Sequence, residues 1–87
     1  MVEEKIGIIE HFFTNINVAA IKITAGELHV GDTIRIIGAT TDLTQKVDRM
    51  EVDRNPIDIA KAGDAIGIKV NERVRDHDLV YKIAEGE

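Results

Sequence analysis

The chain has 87 residues, no cysteine, 31% charged residues and a formal charge of −5. That length holds one domain, residues 1–87, which buries roughly 60–65% of the surface its unfolded chain exposes, and the missing thiols exclude disulfides and thiolate metal sites. The acidic balance argues against sequence-independent nucleic-acid binding, which relies on Lys and Arg displacing phosphate counterions, and no apolar run approaches the roughly 20 residues that span a bilayer.

Met1-Val2-Glu3-Glu4-Lys5 is acidic where a secretory signal is basic, so a cytoplasmic protein is expected. The high charge and single glutamine lean toward a thermophilic source. Aromatics amount to 3% and Val and Ile dominate the apolar set, a composition that favours strands.

Lys5 to Phe13 reads as the first strand, with Ile6, Ile8 and Phe12 on one face and Ile9, His11 and Phe13 on the other. Apolar groups on both faces require either packing on both sides or a change of phase near Glu10. Thr14-Asn15-Ile16-Asn17 follows as a hairpin connection, then Val18 to Thr24 as a strand with Ala19, Ile21 and Ile23 on one face. A Gly-Asp turn at Gly31-Asp32 launches Thr33 to Ile37, which alternates through Ile34 and Ile36. The same signal returns at Gly63-Asp64 before Ala65 to Val70, placing Ile66, Ile68 and Val70 inward.

Between these two copies runs Asp42 to Asp53, whose apolar residues fall at odd positions through Leu43 and Val47 and at even positions through Met50 and Val52. A pleat of period two keeps both sets inside only if it bends near Asp48 and Arg49. Asn55-Pro56 is expected to end this strand, and Ile57 to Ala60 to form one helical turn. Asn71 to Asp78 is a charged connection with room for another helical turn. Leu79 to Ala84 closes the sheet with Leu79, Tyr81 and Ile83 aligned, and residues 84–87 are expected to fray. Short strands with frequent turns and no long amphipathic helix indicate an all-β sandwich or barrel, and closure protects apolar edges from aggregation.

Leu28-x-Val30-Gly31-Asp32-x-Ile34-x-Ile36, Val52 to Pro56, Ala60-x-Ala62-Gly63-Asp64-x-Ile66-Gly67-Ile68 and Arg75-x-x-Asp78-x-Val80-Tyr81 stand in an order that resembles the second domain of translational GTPases such as elongation factor Tu and initiation factor 2. The resemblance implies a closed six- to seven-stranded antiparallel β-barrel with Greek-key connections. It also implies a non-enzymatic binding module that contacts RNA, tRNA or the ribosome. In elongation factor Tu a Glu and an Arg on the strand before the Ala-Gly turn help to hold the tRNA end; the matching positions here are Glu51 and Arg54. Ala65 stands where that family has an asparagine, and Asn15-Ile16-Asn17 replaces its Gly-rich hairpin. Neither a phosphate-binding loop nor an Asn-Lys-x-Asp guanine-reading motif is present, so GTP binding is not expected.

Arg49, Glu51, Arg54, Arg73 and Arg75 are the candidate RNA-binding residues, provided the fold gathers the arginines into a local patch. A protein-interaction or self-association module is the alternative, with Ile9 and Phe13 as its apolar face. Asp76-His77-Asp78 concentrates two carboxylates and an imidazole, but extended neighbours point to opposite sides and no second cluster adds ligands, so no metal site is assigned. With no serine or cysteine for a nucleophile, and with Glu51 and Asp53 reading as a solvated face, neither an enzyme nor a cofactor is expected.

Overall fold

The computed structural model describes residues 2–84 as ten strands. They are β1 Val2–Phe13, β2 Val18–Ile23, β3 Glu27–His29, β4 Thr33–Ile37, β5 Asp42–Lys46, β6 Met50–Val52, β7 Asn55–Ile57, β8 Ile59–Lys61, β9 Ala65–Lys69 and β10 Leu79–Ala84. Eight form one antiparallel sheet in the order β5-β4-β10-β1-β2-β9-β6-β7, and β3 and β8 form a separate ribbon. No described residue is helical, so no helix is long and apolar enough to cross a membrane. The fraying expected at the C-terminus falls, from residue 85 onward, outside the described residues.

Alternate-residue burial holds where it is cleanest. Ala19, Ile21 and Ile23 on β2, Ile34 and Ile36 on β4, and Ile66 and Ile68 on β9 all lie in one dry interior, each at 3% exposure or less. Each large apolar side chain there contributes about 1.5–3 kcal/mol of transfer free energy. Strand β1 reconciles its two apolar faces by slipping twice: its register shifts against β10 between Lys5 and Gly7, and against β2 between Ile9 and His11. Each inserted residue reverses the pleat, so both Ile6 and Ile9 turn inward. The break expected near Asp48 and Arg49 separates β5 from β6 and keeps both Val47 and Met50 buried.

Three local expectations need correction. Ile57 to Ala60 forms no helical turn: Asp53 and Arg54, both at positive φ (51° and 68°), make a two-residue hairpin turn into β7, and β8 then pairs with β3. Pro56 lies in the middle of the edge strand β7, opposite Glu51, instead of ending a strand, because an edge tolerates a residue without an N–H. On β10 Leu79, Tyr81 and Ile83 are aligned as expected, half-buried on one face, and Val80 on the other face points inward. Residues 71–78 are irregular, anchored by the buried Val74.

The Gly-Asp turn occurs three times in space, although only two copies show in the sequence. In His29–Asp32, Lys61–Asp64 and Arg75–Asp78 the Asp carboxylate accepts from the backbone N–H three residues earlier, at 2.8, 2.9 and 2.9 Å. The third residue of each turn has positive φ: Gly31 (99°), Gly63 (101°) and His77 (73°). Its N–H donates to the carbonyl of a buried residue, Val47 just after β5, Ile23 on β2 or Ile9 on β1, whose own N–H donates to the carbonyl of the turn's Asp. Each clip starts one antiparallel pair: β4 with β5, β9 with β2, and β10 with β1.

Strands β5 and β7 are the edges of the large sheet, and no ladder joins them among the described residues. The Gln45 carboxamide of β5 donates to the Lys69 carbonyl at the end of β9 (3.0 Å) and accepts from the Asn71 N–H (2.8 Å), so a side chain ties β5 to the far part of the sheet.

Candidate functional site

The outward face of β2, β9 and β6 carries a row of small groups in register: Ala20 opposite Gly67, and Gly67 opposite Glu51. Gly67 sits within an alternating strand, and a methyl group there would meet Val18 Cγ1 at 3.4 Å, ordinary contact. Its lack of a side chain therefore leaves a trough between Val18 and Glu51. Two hollows of about 220 and 360 Å³ share Val18, Glu51 and Gly67. Arg49 and Lys69 rim the first; Phe13, Asp53 and Arg54 rim the second.

Glu51 is half-buried, and Arg49 Nε lies 3.0 Å from its Oε2. The turn at Asp53 and Arg54 lifts the Arg54 side chain to the rim; a non-glycine residue at positive φ costs about 1–2 kcal/mol. No ion pair of Arg54 or Lys69 is formed among the described residues. The trough thus combines an apolar floor, a carboxylate held by a guanidinium, and two further exposed cations.

Arg73 and Arg75 lie elsewhere, around a hollow of about 490 Å³ that also involves His11, Phe12, Thr14 and Asp76. Arg75 Nε donates to Thr40 Oγ1 at 2.8 Å, and His11 Nδ1 lies 3.9 Å from Asp76 Oδ1. The five residues singled out from the sequence therefore fall into two groups, Arg49, Glu51 and Arg54 in the trough and Arg73 and Arg75 beyond the end of β1. The alternative apolar face is corrected in part: Ile9 is wholly buried by the phase change of β1 and offers nothing to a partner, whereas Phe13 is 45% exposed. Of Asp76, His77 and Asp78, the last is buried and committed to the Arg75 N–H, and His77 occupies the glycine position of the third turn. Sequence reasoning missed Val18, Ala20, Gly67 and Lys69; the one available signal was a glycine at an outward position of an alternating strand.

A bidentate ion pair lies away from the trough. Arg35 on β4 bonds bidentately to Asp42 (3.0 and 3.1 Å) and to Glu3 (3.1 Å). These bonds raise the guanidinium pKa further and hold the Asp42 carboxyl below its usual range.

The chain is 38% identical over 82 residues to an uncharacterised protease of Methanocaldococcus jannaschii, covering 93% of this chain and 20% of that protein. It is also 38% identical over 77 residues to a collagenase of Porphyromonas gingivalis, covering 87% of this chain and 21% of the collagenase. The chain thus spans about a fifth of the length of these relatives. In fold it is similar to the C-terminal domain of a Geobacillus thermoleovorans protein assigned to the U32 peptidases, with a TM-score of 0.85 at 17% identity over 93% of each chain. The family model for elongation factor Tu domain 2 matches residues 17–76, which contain the trough apart from Phe13, the Gly-Asp turns of Gly31 and Gly63, and the Arg54 hairpin. The chain belongs to the elongation factor Tu domain 2 family.

Proposed function

We propose that the chain is a non-enzymatic binding module whose trough holds the terminal nucleotide of a single-stranded RNA end, such as that of a tRNA or a ribosomal RNA. The observation that carries this reading is the Glu51 carboxylate beside the side-chain-free Gly67, rimmed by Arg49, Arg54 and Lys69. A flat base fits over Ala20 and Gly67, a ribose hydroxyl donates to Glu51, and the exposed cations face the phosphate. Family membership supports the same assignment. The relatives named protease and collagenase are about five times longer, and this reading gives the shared segment a recognition role and no part in bond cleavage. It also takes the two sheets as walls of one closed barrel, supported by the Gln45 bonds from β5 to the end of β9 and residue 71.

The test is fluorescence anisotropy with a 5′-labelled single-stranded oligoribonucleotide at two salt concentrations, repeated with an oligomer lacking the terminal 2′ and 3′ hydroxyls. Binding should weaken with salt. Loss of the hydroxyls or the substitution Glu51→Gln should each reduce affinity by about 10- to 100-fold, the worth of one charge-assisted hydrogen bond. Absence of binding at low salt refutes the proposal. A second reading, a protein-docking module, draws on the exposure of Phe13 (45%) and Ile16 (59%).

A further inference from the structure

The hollows on this face are not isolated. Phe13 lines both the trough and a third hollow of about 550 Å³ over the turn at residues 14–16, and His11, Phe12 and Thr14 line both that hollow and the one at Arg73 and Arg75. A continuous track therefore runs from Glu51, over the end of β1, to the loop at residues 73–76. Its charge is opposite to that of the whole molecule: Arg49, Arg54, Lys69, Arg73 and Arg75 outnumber Glu51, Asp53 and Asp76 along it, in a chain of formal charge −5. At its middle stands a fixed aromatic group. The Phe13 ring is held by His11 at a centroid distance of 4.6 Å and an interplanar angle of 76°, and still leaves 45% of the residue open to solvent.

Exposed aromatic rings with cations on either side are the arrangement that binds single-stranded nucleic acid without reading its sequence, each stacked base contributing about 1–3 kcal/mol. We infer that Phe13 is a stacking platform and that Arg73 and Arg75 receive backbone phosphates, so that the RNA strand leaving the Glu51 trough continues across the end of β1. This inference rests on the trough's reading as an RNA-end site and extends it from one nucleotide to several. The edge-to-face contact with His11 fixes the Phe13 ring before binding, which lowers the ordering cost of stacking a base.

The experiment measures affinity for oligoribonucleotides of one to six residues, with the unaltered chain, Phe13→Leu, Arg73→Gln and Glu51→Gln. Phe13→Leu keeps the apolar bulk and removes the aromatic face, and circular dichroism confirms that each variant is folded. Affinity should rise from one to about four nucleotides and then level off. Phe13→Leu should cost about 5- to 150-fold for the tetranucleotide and leave the mononucleotide unchanged. Arg73→Gln should reduce the slope of log affinity against log salt by about 0.7 for the longer oligomers only.

Length-independent binding that is sensitive to Glu51→Gln and insensitive to Phe13→Leu overturns the track and leaves the trough standing. Absence of binding at every length overturns both. If Phe13→Leu alters only self-association in sedimentation, the exposed ring is a protein contact and the track is refuted.

Discussion

The three turns allow a comparison in which the same substitution chemistry has opposite signs. Gly31 and Gly63 sit at φ of 99° and 101°, and a methyl group at either position would touch nothing within 4 Å. Gly31→Ala and Gly63→Ala therefore change backbone conformation energy without steric overlap. A side chain in this region costs about 1–2 kcal/mol, and the lower entropy of the unfolded alanine chain returns about 0.4–1 kcal/mol. Each replacement should destabilise by about 1 kcal/mol, or about 4–8 °C in Tm for a domain of this size.

His77 occupies the equivalent position at φ 73° and already bears that strain. His77→Gly removes it while loosening the unfolded chain by a comparable amount, so stability should be unchanged or rise by up to about 1 kcal/mol. Urea unfolding and calorimetry on the three single variants decide the matter. If His77→Gly loses as much as Gly31→Ala and Gly63→Ala, the three turns are not equivalent and the inferred threefold clip is wrong.

Further outcomes follow from particular contacts. A methyl group on Gly38 would overlap the buried Asp78 carboxylate, so Gly38→Ala should destabilise by at least about 2 kcal/mol; in a double-mutant cycle with Asp78→Ala, measured by urea unfolding, the two costs should fall well short of additive. Gln45→Leu removes both bonds between β5 and residues 69–71 and should cost about 1–3 kcal/mol, with faster hydrogen exchange at the Asn71 amide as its specific signature. Because the bond from Arg35 lowers the folded pKa of Asp42, the contribution of that pair is present above the unfolded carboxyl value of about 4 and is lost as pH falls through the folded value. Asp42→Asn should therefore flatten the acid limb of a stability-against-pH curve below about pH 4 and leave its neutral-to-alkaline limb unchanged in shape.

How far the fold could be read in advance depended on how local its determinants were. On strands β2, β4 and β9 the isoleucines Ile21 and Ile23, Ile34 and Ile36, and Ile66 and Ile68 recur at every second position, and the buried faces follow from that period alone. The break between β5 and β6 was visible too, because Val47 and Met50 are out of phase on any single pleat. On β10 the period aligned Leu79, Tyr81 and Ile83 on one face but left open which face turns inward; pairing with β4 and β1 settled that it is the face of Val80. The turn at Asp53-Arg54 carries no glycine, and its positive φ values are imposed by the pairing of β6 with β7.

The candidate site divides along the same line. Glu51 and Arg54 sit within one hairpin and Arg49 directly before it, so chain proximity brings them together, and the sequence by itself was enough to group them. Their distance from Arg73 and Arg75, the trough over Gly67 and the track across Phe13 depend on β2, β9 and β6 lying side by side, contacts between residues far apart in the chain. The third turn was hidden for a related reason: a histidine holds the left-handed position only because the Asp78 carboxylate and the Ile9 backbone grip the loop from both sides. Periodicity and turn chemistry, which act over a few residues, determined the strands of this protein. Packing between distant strands decided which side chains share a surface, because only the assembled sheet balances local strain against long-range hydrogen bonds and burial.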